Sequence, residues 1–293
     1  MSSIPVLVLS YALLAFAVVA LWIPVRPLAG MTTWLWGGTL GAACAAGIAA
    51  GMLTWLAPVS LAVLAGLCLA ARDVKTAWIR RTWLWLAALV ALALALHRVP
   101  GFSNPDLLAA AANSGGASAL GAHGNFDKTA VGAILIGILG YPIRTLAGWR
   151  AMLVKVWSVV VATPVIVLGL AMTLSYVKPD FKWFPYSGMF LIGNLLSACV
   201  AEEAFFRGLL LPRLAGIWSG HRLGTAGALA LTSVLFGAVH FGGGPVLIVL
   251  ATIAGVLYGT AYLVTHRVEG AILTHFALNA VHFVAFSYPN LQS

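Results

Sequence analysis

Charge is scarce in this sequence. Charged residues make up 8% of its 293 positions, a third of the ~25% usual in soluble domains. With a mean hydropathy of +1.01, that excludes a soluble globular protein. Acids are rarest, seven Asp and Glu against sixteen Lys and Arg, for a net charge of +9. The excess is no nucleic-acid footprint, because the basic residues sit in short gaps between apolar runs, without a basic stripe or basic/aromatic interleaving. Cysteine is nearly absent. Cys44, Cys68 and Cys199 each lie inside an apolar run, no two at metal-ligand spacing, so they read as small buried hydrophobes and not as disulfides or ligands. No basic residue precedes the first apolar run; Arg26 lies behind it. A cleaved signal peptide carries that charge in front, so the first segment reads as a retained helix. No Ser/His/Asp or Cys/His grouping is evident, which argues against a covalent nucleophile.

Apolar sequence is what abounds. Runs approaching the ~20 residues that a span requires lie near 4–25, 32–50, 54–71, 82–97, 129–144, 153–175, 186–206, 224–241, 245–265 and 270–287. The expected fold is all-α, a polytopic membrane bundle of eight to ten transmembrane helices. The block 32–71 divides near Met52, and 82–97 is a short member. The longest polar gap, 98–128, is rich in Gly, Ser, Asn and Ala and is expected as an external loop. It separates N-terminal transmembrane helices (1–128) from a C-terminal helix bundle (129–293). With ten spans, one set of loops holds twelve of the sixteen basic residues: Arg26; Arg72, Lys75, Arg80 and Arg81; Arg144, Arg150 and Lys155; Arg207, Arg213 and Arg222; Arg267. Arg98, Lys128, Lys178 and Lys182 fall on the other side. The positive-inside rule then puts the first set in the cytoplasm and both termini outside. Trp34, Trp36, Trp55, Trp78, Trp83, Trp85, Trp149, Trp157 and Trp183 lie mostly near expected helix ends, as in an interfacial aromatic belt.

Against this background "ACVAEEAFFRG", residues 198–208, stands out. Glu203 and Arg207 are four apart and share a helical face. Glu202 is rotated about 100° away and needs a partner or a wet cavity of its own, since a charge at mid-bilayer costs about 2.5–3.5 kcal/mol. Read by itself, the stretch could lie in the headgroup region with a structural role only. Two further segments weaken that reading. "LFGAVHF" sets Phe236 and His240 four apart, and "THFALNAVH" sets His275 and Asn279 four apart, with His282 three further along. Polar residues in spanning helices face the bundle interior.

The three motifs, Glu-Glu-x-x-x-Arg, Phe-x-x-x-His and His-x-x-x-Asn, follow one another with about 35 residues between them. In this the chain resembles the CPBP family of intramembrane endopeptidases, which includes the CAAX prenyl proteases and bacterial Abi-type proteins. The resemblance covers roughly residues 150–287. It implies hydrolysis of a peptide bond within or beside the bilayer, with a membrane protein or peptide as substrate and the lipid bilayer as setting.

The residues allow two mechanisms. In the first, without cofactor, Glu202 is the general base and His240 holds and polarises the water. Glu203 and Arg207 orient the helix and compensate charge, Phe236 supports them, and His275 and Asn279 donate to the oxyanion. The resemblance supports the same positions. In the second, Glu202, His240 and His275 bind zinc, with water as fourth ligand. Against it, His-Glu-x-x-His is missing and acids for a second shell are nearly used up, only Glu269 being spare. Two other functions compete. A transporter would line an ion path with core ionisable residues, but the polar residues here cluster in one C-terminal zone. A non-catalytic scaffold would tolerate lost motif positions, but all are occupied. The expected location is an integral position in a bacterial inner membrane. His240 lies late in one expected span and His275 early in another of the same direction. They share a depth only if "HFGGGP", 240–245, breaks the helix.

Overall fold

The computed structural model describes residues 3–24, 35–105 and 125–287. Arg26, Trp34 and residues 106–124 of the polar gap lie outside them. The described residues form helices and no strand: α1 (Ser3–Ala20), α2 (Leu35–Ala49), α3 (Leu56–Asp73), α4 (Ala77–Ala95), α5 (Phe126–Leu139), α6 (Leu146–Thr173), α7 (Ser187–Ile217), α8 (Gly224–Ala238), α9 (Gly244–Thr265) and α10 (Val268–Ala285).

Among the described residues, six segments are long and apolar enough to cross a bilayer: Leu56–Asp73, Ala77–Ala95, Leu146–Thr173, Ser187–Ile217, Phe241–Thr265 and Val268–Ala285. In the most apolar 18-residue stretch of each, between 28% and 44% of the residues are buried inside the protein. This is an integral membrane protein. A count of eight to ten spans is not confirmed. Pro5–Ala20, Leu35–Ala49 and Gly224–Ala238 are apolar but shorter, and α5 has 14 residues. At 1.5 Å per residue α5 rises about 21 Å, against a hydrocarbon core of ~30 Å. Hydropathy counts apolar residues whether or not the helix continues. Here α5 stops at Gly140, and Pro142 cannot resume it. Residues 50–55 turn between α2 and α3, with Gly51 at φ +74, which splits the 32–71 block beside Met52.

The basic residues also correct the loop picture. Arg80 and Arg81 lie within α4 and Lys128 in the first turn of α5, because a long basic side chain can extend from a helix end toward polar surroundings. Trp55, Trp78, Trp157 and Trp183 are 62–70% exposed, as in an aromatic belt. Trp36 is instead buried against Gly137.

The chain forms two compact units. The first comprises Met1–Arg144 and Leu196–Phe205, the second Thr145–Leu195 and Phe206–Ser293. In the first, α5 is central. It touches α1, α2, α3, α4 and the turn Val200–Glu203, and eleven of its residues are buried. Gly132 permits the last of these contacts, since a Cβ there would stand 2.8 Å from the Cα of Ala201. Such close backbone approach at small residues is how membrane helices gain packing energy without a hydrophobic driving force.

In the second unit α9 packs against α6, α8 and α10. A Cβ on Gly237 would stand 2.6 Å from the carbonyl oxygen of Ile248 and would also strike Thr252, so the α8–α9 hairpin closes only around glycine. The segment after α6 is tied to the end of α10 by Asp180 N–H to Ala285 O and Lys182 N–H to Val284 O, both 2.8 Å.

Candidate active site

The helix carrying the two glutamates is α-helical only in part. Asn194–Cys199 and Ala204–Leu210 are π turns, with one α turn, Val200–Glu203, between them. π turns close i→i+5 hydrogen bonds and are frequent at functional sites. The α spacing that pairs Glu203 with Arg207 and rotates Glu202 by ~100° therefore does not describe this stretch.

Glu202 and Glu203 belong to the first unit. Glu203 is fully buried. Glu202 has a partner that lies 74 residues back in the chain: Lys128 Nζ donates to Glu202 Oε1 at 2.6 Å. Their side chains are 20% and 16% exposed, so this is a largely desolvated ion pair. The pair forms because Gly132, one turn after Lys128 on the same face of α5, lets Ala201 approach.

In the second unit Arg207 is also fully buried. Its Nη2 donates to the carbonyl of Gly255 at 2.6 Å. Its guanidinium carbon lies 4.8 Å from the ring centre of Phe236 and 5.3 Å from that of Tyr258. A planar cation between aromatic faces keeps part of the electrostatic stabilisation that water would give it. Glycine at 255 leaves room for this arrangement, since a Cβ would stand 3.1 Å from Ser233 Cα and 3.3 Å from Arg207 Nη2.

Phe236 touches most of the remaining motif residues. Its centroid is 4.8 Å from that of His240 and 5.7 Å, edge-on, from that of His275. His240 follows the end of α8 at Ala238. The chain then makes a 3₁₀ turn, Phe241–Gly243, and enters α9 through Gly244 at φ +83. Phe236 O stands among the terminal carbonyls that a helix end leaves over. His240 Nδ1 lies 2.7 Å from it. A carbonyl only accepts, so Nδ1 carries hydrogen, and in the neutral form of such an imidazole Nε2 is the acceptor. Tyr176, in the loop after α6, donates to Gly243 O at 3.3 Å and holds the same turn. Burial pushes its phenol above the usual value, so it stays a neutral donor.

His275 is 4% exposed and stacks on Tyr258. Asn279, one turn later, donates from Nδ2 to Asn194 Oδ1 at 3.1 Å. That commits one of its two amide hydrogens and fixes the plane of the other. His240, His275, Asn279, His282, Phe236 and Tyr258 all border one mostly apolar cavity of about 140 Å³. The break at residues 240–244 is what lets His240 and His275 share it.

The second unit thus brings together His240, His275, Asn279, Phe236 and Arg207, while Glu202 and Glu203 are held in the first. Sequence reading missed Lys128, which it counted as a loop charge. It also missed Asn194, a lone asparagine in an apolar run, and Tyr258. An asparagine placed among apolar residues is the one signal that could have drawn attention to Asn194. Among the described residues, no three His, Cys, Asp or Glu side chains cluster closely enough to hold a metal ion.

Residues 183–281 match the family model described as type II CAAX prenyl endopeptidase Rce1-like. No curated protein and no solved structure matches the chain. The matched stretch contains all three motifs, and the resemblance read from them is thereby shown for this region.

Proposed function

With an Rce1-like endopeptidase region at residues 183–281 as premise, we propose that the protein cleaves a membrane protein or peptide with water activated by Glu202. The observation that carries this reading is the cavity in which His240, His275 and Asn279, from two of the three motifs, converge.

In the proposed reaction the carboxylate of Glu202 takes a proton from water. The water oxygen bonds to the scissile carbonyl carbon. The carbonyl oxygen gains the electron pair and is held by Asn279 and His275. Collapse of the tetrahedral species breaks the C–N bond, and the departing amine takes the proton back from Glu202. Neutral His240, with hydrogen on Nδ1, accepts from the water at Nε2 and so orients it. Apolar walls exclude bulk water and strengthen each of these interactions. Glu203 and Arg207 serve the fold of the helix and its charge balance. The expected setting is a bacterial inner membrane.

The test is incubation of the purified protein, in lipid vesicles, with a library of membrane-inserted peptides, new termini being read by mass spectrometry. The reading expects cleavage that survives strong chelators. Absence of cleavage would defeat it. Activity lost with a stoichiometric zinc and restored by adding it back would replace the mechanism with the zinc one.

A further inference from the structure

The family match begins at residue 183, but the ion pair on Glu202 comes from residue 128. We propose that Lys128 is a positioning residue for the Glu202 carboxylate, so that the N-terminal helices take part in the chemistry. This inference rests on the proposed role of Glu202 as base.

The geometry supports more than an incidental surface contact. Exposed ion pairs contribute little, because water screens them and both side chains lose freedom. Here both partners are largely shielded and the contact is 2.6 Å, at the short limit of a charge-assisted hydrogen bond, usually about 2.7–2.9 Å for an ammonium and a carboxylate. With Oε1 held, the plane of the carboxylate is fixed. The ammonium also compensates the charge that a base must carry inside a membrane protein, where an uncompensated ion is costly.

Lys128 is itself held in place. The backbone N–H of Lys128 donates to Asp127 Oδ1 at 2.9 Å. Asp127 is 1% exposed and receives His97 Nδ1 on Oδ2 at 2.7 Å and Asn104 Nδ2 on Oδ1 at 3.1 Å. Asn104 Oδ1 in turn accepts the N–H of Phe126 at 2.9 Å. These contacts fasten the first turn of α5 to the chain that follows α4. An acid in a first helical turn also suits the helix dipole. A lysine needed only for solubility or membrane anchoring would require neither a fastened backbone nor an inward partner.

The test compares Lys128→Met and Lys128→Arg, each in the parental and Glu202→Gln backgrounds, on the fastest-cleaved peptide of the vesicle library. Rates are normalised to monodisperse protein. Lys128→Met should lower kcat by about 10²-fold, the effect of a small misplacement of a catalytic group, with KM little changed. Lys128→Arg should recover most of kcat. Thermal unfolding separates positioning from architecture. Lys128→Met should lower the unfolding temperature only where Glu202 is present, because only there does it take a cation away from a shielded carboxylate. An equal drop in both backgrounds would mean a structural role and overturn the inference. So would a parental kcat in Lys128→Met beside an inactive Glu202→Gln, which leaves the role of Glu202 intact. Parental activity in Glu202→Gln, or no cleavage by the parental protein, would remove the reading beneath it and this inference with it.

Discussion

The imidazole of His275 lies flat on the phenol ring of Tyr258, centroids 4.5 Å apart and planes 15° from parallel. The same Tyr258 ring borders the Arg207 guanidinium, and Phe236 meets His240, His275 and Arg207 at once. Residues from three sequence motifs are therefore set by one aromatic cluster. A change in the cluster should reach all of them together.

Phe236→Ala tests that coupling. Truncating a fully enclosed phenylalanine costs about 3–5 kcal/mol, so the unfolding temperature should fall. Cleavage should fall further than the loss of folded protein accounts for, because both histidines lose a wall. A variant as stable as the parent would show that the ring is not the hub described here.

His240→Asn separates the two nitrogens of the imidazole. The asparagine amide can still donate to Phe236 O, but nothing replaces Nε2. The rate should drop by about 10²–10⁴, the usual share of acid–base catalysis, with the unfolding temperature preserved. Kinetics and calorimetry on the same preparation decide it, and unchanged turnover would remove Nε2 from the mechanism.

Asn279 and Asn194 should differ in degree. Removing an oxyanion donor with Asn279→Ala should cost about 10²–10³ in rate. Asn194→Ala removes one hydrogen-bond anchor of the Asn279 amide and leaves the donor itself, so its loss should be smaller and confined to kcat. If Asn194→Ala equals Asn279→Ala, then Asn194 itself meets the substrate.

Gly255→Ala probes the buried arginine. The added methyl enters a space bounded by Ser233 Cα at 3.1 Å and Arg207 Nη2 at 3.3 Å. Overpacking of this kind costs about 1–3 kcal/mol, and displacing the guanidinium from Gly255 O adds to it. A guanidinium or thermal unfolding series should register the loss, and a neutral outcome would mean that α9 yields easily.

Much of the fold is legible in the sequence alone. Scarce charge and long apolar runs report a membrane helix bundle, since they are properties of local sequence. The glutamate, histidine and asparagine motifs stand out because polar residues are costly in apolar helices. What local sequence could not carry was any relation across long separations. Lys128 meets Glu202 over 74 residues, and Asn194 meets Asn279 over 85. Nor does hydropathy register the π turns that flank Val200–Glu203, or the early end of α5. Each depends on how neighbouring helices pack and not on the run of residues.

The most direct test of the central claim is the steady-state cleavage rate of Glu202→Gln beside the parental protein, on the same peptide in the same vesicles. Glutamine keeps the size of the side chain and can still accept from Lys128, but it cannot take the proton from water. The account predicts a loss of at least about 10²–10⁴ in kcat, with the protein still folded by thermal unfolding. Cleavage by Glu202→Gln at the parental rate would contradict it.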